Sequence, residues 1–124
     1  MAIVLVVDDE QSILNIVVEV IEEMGHQVVT ALNGRDALLA LGHACADLVL
    51  TDIMMPYVDG LELCRRLKSE EATAHVSVVL MSAGTGSGAD TVPMDGFLRK
   101  PFALDELERV VRHALDARVI ASGR

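Results

Sequence analysis

The chain has no tryptophan, one tyrosine (Tyr57) and two phenylalanines (Phe97 and Phe102). Without aromatic bulk, its core must be filled by Val, Leu, Ile, Ala and Met, which suits helices packed closely on a parallel sheet. Cysteine is also scarce. Cys45 and Cys64 lack the paired spacing to His or Cys of a zinc site, so the expectation is two buried reduced thiols rather than a disulfide. Basic residues number 10 against 19 acidic ones, a formal net charge of −9. Gripping phosphates requires a basic face, so direct nucleic-acid contact by this domain is not expected. Hydrophobic runs are short. The longest, residues 1–7, cannot span a bilayer, and it lacks the charged start and small-residue cleavage site of an export signal. A cytoplasmic protein without membrane contact is the expectation.

With 124 residues, the chain is expected to be a single domain over residues 1–124, large enough to bury a core without staples. The β-branched run Ile3-Val4-Leu5-Val6-Val7 stops at Asp8-Asp9-Glu10 and reads as a buried strand ending in carboxylates. After it, Ile13, Leu14, Ile16, Val17, Val20, Ile21 and Met24 recur at helical spacing, and Gly25 is a natural stop. Residues 27–31 form a short strand candidate, and Asn33-Gly34 opens a helix carrying Ala37, Leu38 and Leu41. The run Leu48-Val49-Leu50-Thr51 ends at Asp52, and Pro56 forces a turn. Leu61, Leu63, Cys64 and Leu67 mark the next helix. Residues 76–81 are another buried run, ending at Ser82. Gly96-Phe97-Leu98-Arg99 precedes Lys100-Pro101, and Leu104, Leu107, Val110, Val111, Ala114 and Leu115 stripe a last helix. Its acidic residues lie early and its basic ones late, as the helix dipole favours. Residues 119–124 are expected to fray.

This alternation of strand and helix predicts an α/β fold, a parallel sheet covered on both faces and joined by right-handed crossovers. In such folds ligands gather at the carboxyl ends of the strands. Asp8 and Asp9 follow the first strand, Asp52 closes the third, Ser82 the fourth, and Lys100 stands just beyond the fifth. Taken singly, each has an ordinary reading as a cap, a turn residue or a solvated lysine. Together they are the parts of one phosphoryl-transfer site. Three carboxylates in one pocket repel unless a cation sits among them, and Mg²⁺ suits an oxygen-ligand site that keeps waters. Lys100 is a point charge suited to a phosphoryl oxygen.

The motifs Val6-Val7-Asp8-Asp9-Glu10, Asp52-Ile53-Met54-Met55-Pro56 with Asp59-Gly60, Met81-Ser82-Ala83 and Phe97-Leu98-Arg99-Lys100-Pro101-Phe102 resemble the receiver domain of two-component response regulators over essentially the whole chain. The resemblance implies a doubly wound, flavodoxin-like sheet of five parallel strands in the order 2-1-3-4-5. It implies that Asp52 accepts a phosphoryl group from a sensor histidine kinase or phosphotransfer protein. Mg²⁺ (with Mn²⁺ as a substitute) would be held by Asp9, Asp52 and the Met54 carbonyl, with Asp8 acting through water. Ser82 and Phe97 would be the switch residues, Lys100 would pair with the phosphoryl group, and the Lys100–Pro101 bond would be cis. So read, the chain is a signalling domain rather than an enzyme, promoting only its own phosphorylation and dephosphorylation to control an output domain or partner.

Two features stand apart from the family pattern. Residues 84–94, where the family places a fourth helix, are about one turn too short and rich in glycine, with Pro93 besides. A loop or at most a single turn is expected there. Residues 84–89 also match G-x-G-x-x-A, but no amphipathic helix follows, so a dinucleotide site is not the reading. Two rival functions also fit parts of the pattern. One is a receiver-like scaffold that is never phosphorylated. The other is a haloacid-dehalogenase-type phosphatase, which wants a second Asp where Met54 stands.

Overall fold

A computed structural model describes residues 1–43, 45–84 and 88–121, with the side chains of the last helix described as far as Asp116. Five strands, β1 (Ile3–Val7), β2 (Gln27–Ala31), β3 (Leu48–Asp52), β4 (Ser77–Ser82) and β5 (Gly96–Arg99), alternate with four helices, α1 (Gln11–Glu23), α2 (Gly34–Leu41), α3 (Gly60–Ser69) and α4 (Leu104–Ala121). All strand pairs are parallel and the order is β2-β1-β3-β4-β5, the topology anticipated from the motifs. Every residue of β3 and β4 is buried, which explains why both read as unbroken apolar runs rather than alternating ones.

The pleat divides each strand between two cores. Val4, Val6, Leu48, Leu50, Val79 and Met81 face α1 and α4, where they meet Leu14, Val17, Ile21, Leu107 and Val111. Leu5, Val7, Val49, Val78 and Leu80 face α2 and α3, where Ala37, Leu63, Cys64 and Leu67 close the layer. Ile16, which shares the helical pattern of α1, is 47% exposed and off the buried stripe.

Caps and close approaches set the helix starts. Asn33 Oδ1 accepts from the Asp36 amide at 2.8 Å, and Asp59 Oδ1 accepts from the Glu62 amide at 2.8 Å. Each oxygen satisfies a donor that the first helical turn leaves without a partner. Gly25 stops α1 at φ 93°, a left-handed conformation that glycine adopts without penalty.

Three expectations need adjustment or limits. Cys64 is buried on the inward side of α3, but Cys45 is exposed, because it lies in the α2–β3 connection before β3 enters the core. The last helix runs to Ala121, so residues 119–121 of the expected frayed tail are assigned to it, and residues 122–124 lie outside the described residues. Between β4 and β5 the described residues hold one 3₁₀ turn, Ala89–Thr91, and no α-helix, as the glycine content predicts. Part of the G-x-G-x-x-A match, residues 85–87, lies outside the described residues.

Candidate phosphoryl-acceptor site

Strand register gathers the polar residues. Val7 pairs with Thr51, so Asp8 emerges level with Asp52. Asp52 pairs with Met81, and Ser82 with Arg99, so Ser82 and then Lys100 follow at the same edge. β3 is the central strand, which puts Asp52 between the ends of β1 and β4. The edge is backed by apolar residues on both faces of the sheet, so Asp8, Asp52, Ser82 and Lys100 are all buried.

Lys100 Nζ lies 2.6 Å from Asp8 Oδ2, 3.6 Å from Asp52 Oδ1 and 3.5 Å from Glu10 Oε1. Asp8, with no exposed surface, spends its other oxygen on the Glu10 amide at 2.9 Å. Its charge is thus compensated on both sides, as a buried carboxylate requires. Ligand oxygens of Asp8, Asp9 and Asp52 all lie within 4.8 Å of one another. Asp9 is exposed and borders an open cleft with Ile53, Met54, Met55, Pro56, Asp59 and Leu61. Ser82 Oγ accepts from the Gly84 amide at 3.1 Å, a bond that leaves the hydroxyl hydrogen uncommitted. Phe97 is half-buried against the α2–α3 core, and the Lys100–Pro101 bond is cis.

The electrostatics favour a cation. Burial pushes the Asp52 carboxyl up to about 6; the Asp8 and Asp9 charges add to the rise, while Lys100 and the Ile53 amide oppose it. Burial works against the Lys100 ammonium too, but the hydrogen bond to Asp8 and the charges of Asp8, Asp52 and Glu10 outweigh it, and its pKa is raised. One lysine therefore faces more carboxylate charge than it can neutralise. A hard cation with oxygen ligands fits the remainder.

Sequence reasoning missed several supports of the site. Thr51 Oγ1 donates to the Asp52 carbonyl at 2.9 Å, and Glu10 joins the lysine. Gly60 abuts β3, where a Cβ would stand 2.3 Å from the Asp52 carbonyl oxygen. At Gly34 a Cβ would stand 2.0 Å from the Val58 carbonyl oxygen. Both glycines stand in the sequence as turn and cap residues. Their contacts with distant backbone leave no local mark.

The sequence matches the response regulator receiver domain family over residues 4–112. It is 37% identical over 111 residues to the transcriptional regulatory protein TcrA of Mycobacterium tuberculosis, covering 84% of this chain and 42% of that one. It is 32% identical over 108 residues to protein PilG of Pseudomonas aeruginosa, covering 84% of this chain and 80% of that protein. Among solved structures, the chemotaxis response regulator CheY4 of Vibrio cholerae superposes with TM-score 0.85 at 29% identity, over 93% of this chain and 99% of that one. NtrX of Brucella abortus, solved in complex with ATP, gives 0.90 at 30% identity over 98% of this chain and 28% of that one. The chain spans about half the length of several curated relatives, TcrA among them. It belongs to the response regulator receiver domain family, a family of signalling domains in two-component systems.

Proposed function

We propose that Asp52 is the phospho-acceptor, taking a phosphoryl group from a phosphohistidine of a sensor histidine kinase or phosphotransfer protein. A carboxylate oxygen of Asp52 forms the new O–P bond, the N–P bond breaks, and its electron pair stays on the donor imidazole. The observation that carries this reading is the set of Asp8, Asp9 and Lys100 groups around a buried Asp52 at a strand end. In-line phosphoryl transfer needs positioned charge rather than covalent help from the protein.

Mg²⁺ would be held directly by Asp9, Asp52 and the Met54 carbonyl, with Mn²⁺ as a substitute, and it would neutralise the charge that develops on the transferring oxygens. Asp8 acts through water on this reading, which suits its existing bonds to Lys100 and the Glu10 amide. Lys100 moves from Asp8 toward the new phosphoryl oxygens. Ser82 donates its hydroxyl to the same group, and Phe97 follows inward. Only contacts made better in one conformation shift a population, so Ser82 and Phe97 are the carriers of the signal to an output domain or partner protein. Water later hydrolyses the acyl phosphate at the same site. The domain works in the cytoplasm beside its ATP-fed kinase, and its acidic surface leaves any nucleic-acid contact to another domain.

Incubation with acetyl phosphate and Mg²⁺, followed by intact-mass measurement, tests the reading. The expected result is an acid-labile gain of one phosphoryl group that vanishes in Asp52→Ala. No gain in the wild-type chain would make it a receiver-shaped scaffold. Steady hydrolysis of small phosphate esters would revive the phosphatase. Against that chemistry, the position two residues after Asp52 is Met54, 77% exposed and without an acidic group.

A further inference from the structure

The β3–α3 connection contains Tyr57 at φ 70°, the one non-glycine residue with positive φ among the described residues. A bulky L-residue pays a conformational penalty in that region, so something must hold it. The guanidinium of Arg35, on the first turn of α2, lies 4.1 Å from the centroid of the Tyr57 ring. The next residue, Val58, presses its backbone on Gly34 so closely that no Cβ fits there. At the base of the connection the Gly60 amide donates to the Ile53 carbonyl at 2.8 Å, closing a loop that contains Met54. On its other side, Ile53, Met54, Met55 and Asp59 border the cleft with Asp9. The loop is therefore held at one side by α2 and at its base by β3, with the cleft on the remaining side.

We infer that the Arg35–Tyr57 stack is a positioning device for the metal site, holding the loop in the shape that presents the Met54 carbonyl beside Asp9 and Asp52. The inference rests on the Mg²⁺ reading above. Neither side chain touches the metal or the reacting atoms. Tyr57 is 69% exposed, so the stack contributes little to the core. Its effect falls on the loop.

The chain's single tyrosine and absent tryptophan make Tyr57 a clean reporter, because Mg²⁺ titrations can be followed by its emission. Arg35→Ala should weaken Mg²⁺ binding by about two- to fivefold, the fold-change of an exposed cation–π contact. Arg35→Lys, which keeps a cation over the ring, should restore most of the affinity. By calorimetry, Tyr57→Phe should bind Mg²⁺ as the wild type does. Tyr57→Gly should bind more weakly while melting no lower, because glycine relieves the left-handed strain but frees the loop. A purely structural role would instead link the loss of affinity to a loss of Tm. In the metal-free chain, amide exchange at Gly60 should quicken in Arg35→Ala. Wild-type affinity and unchanged Gly60 exchange in folded Arg35→Ala would overturn the inference and leave the phospho-acceptor reading intact. A wild-type chain that binds no Mg²⁺ would overturn both.

Discussion

At the scale of single residues, the site balances one buried lysine against several carboxylates. Asp52 ionises in the folded, metal-free chain only near pH 6, against an ordinary value of 3.8. Between those values the native state binds more protons than the unfolded state, so stability falls as pH rises through this window. The loss is complete once the pH has risen well past about 6 and is on the order of 3 kcal/mol. Denaturant melts of the metal-free protein should show the decline, and Asp52→Asn should flatten it. Mg²⁺ at neutral pH should recover the lost stability, since on the proposed reading it would bind only the native arrangement. Lys100→Met removes the partner of a carboxylate with no exposed surface. Leaving the buried Asp8 charge without its ammonium partner should cost about 3 kcal/mol. The same variant should slow phosphorylation by acetyl phosphate about a hundredfold, the usual cost of removing one charge-stabilising donor. A variant that kept the wild-type rate would remove Lys100 from the proposed chemistry.

At the scale of elements, the site depends on two places where backbone meets backbone. Gly60→Ala would set a methyl 2.3 Å from the Asp52 carbonyl oxygen and 2.8 Å from Ile53 Cα. Neither neighbour is a flexible side chain, so the start of α3 or the end of β3 must shift. We expect a loss of about 3 kcal/mol in urea unfolding, as for overpacked interiors, together with slower phosphorylation. Gly42→Ala is the control. Gly42 caps α2 with helical dihedrals, and an added methyl would meet nothing closer than 3.3 Å. Its stability should stay within about 0.5 kcal/mol of the wild type. The β4–β5 connection, with one 3₁₀ turn among its described residues, still buries Ala89 and Val92 against the α2–α3 core. The described part of this connection therefore covers that edge without an α-helix.

At the scale of the whole molecule, two thiols report on separate events. Cys64 is buried inside the α2–α3 core, and burial pushes its thiol up to about 11. Its thiolate is both rare and shielded, so it should react with a maleimide only when the domain unfolds globally. Cys45 is exposed and should label within the dead time of the same experiment. Cys64 labelling should slow when Mg²⁺ is added, because a metal held by Asp9 and Asp52 as proposed would stabilise the native state. A Cys64 rate as fast as that of Cys45 would mean that the α2–α3 layer opens locally.

The element order, the two-faced parallel sheet and the polar residues at its carboxyl edge were legible in the sequence. Runs such as Leu48-Val49-Leu50-Thr51 and the spacing of Leu14, Val17 and Ile21 encode burial locally, and each chemistry-bearing residue stands directly at the end of such a run. The fates of Cys45 and Ile16 were less legible, because local pattern alone does not say which apolar residue finds a neighbour. Lys100 resting on Asp8, the methyl-free contacts of Gly34 and Gly60, and the Arg35–Tyr57 stack join residues far apart in the chain. Such contacts exist only once the crossovers have brought strand ends and helix starts together. Sequence alone determined the sheet and the chemistry delivered to its edge. Tertiary structure decided which charges meet there, because distances between strand ends follow from register and packing.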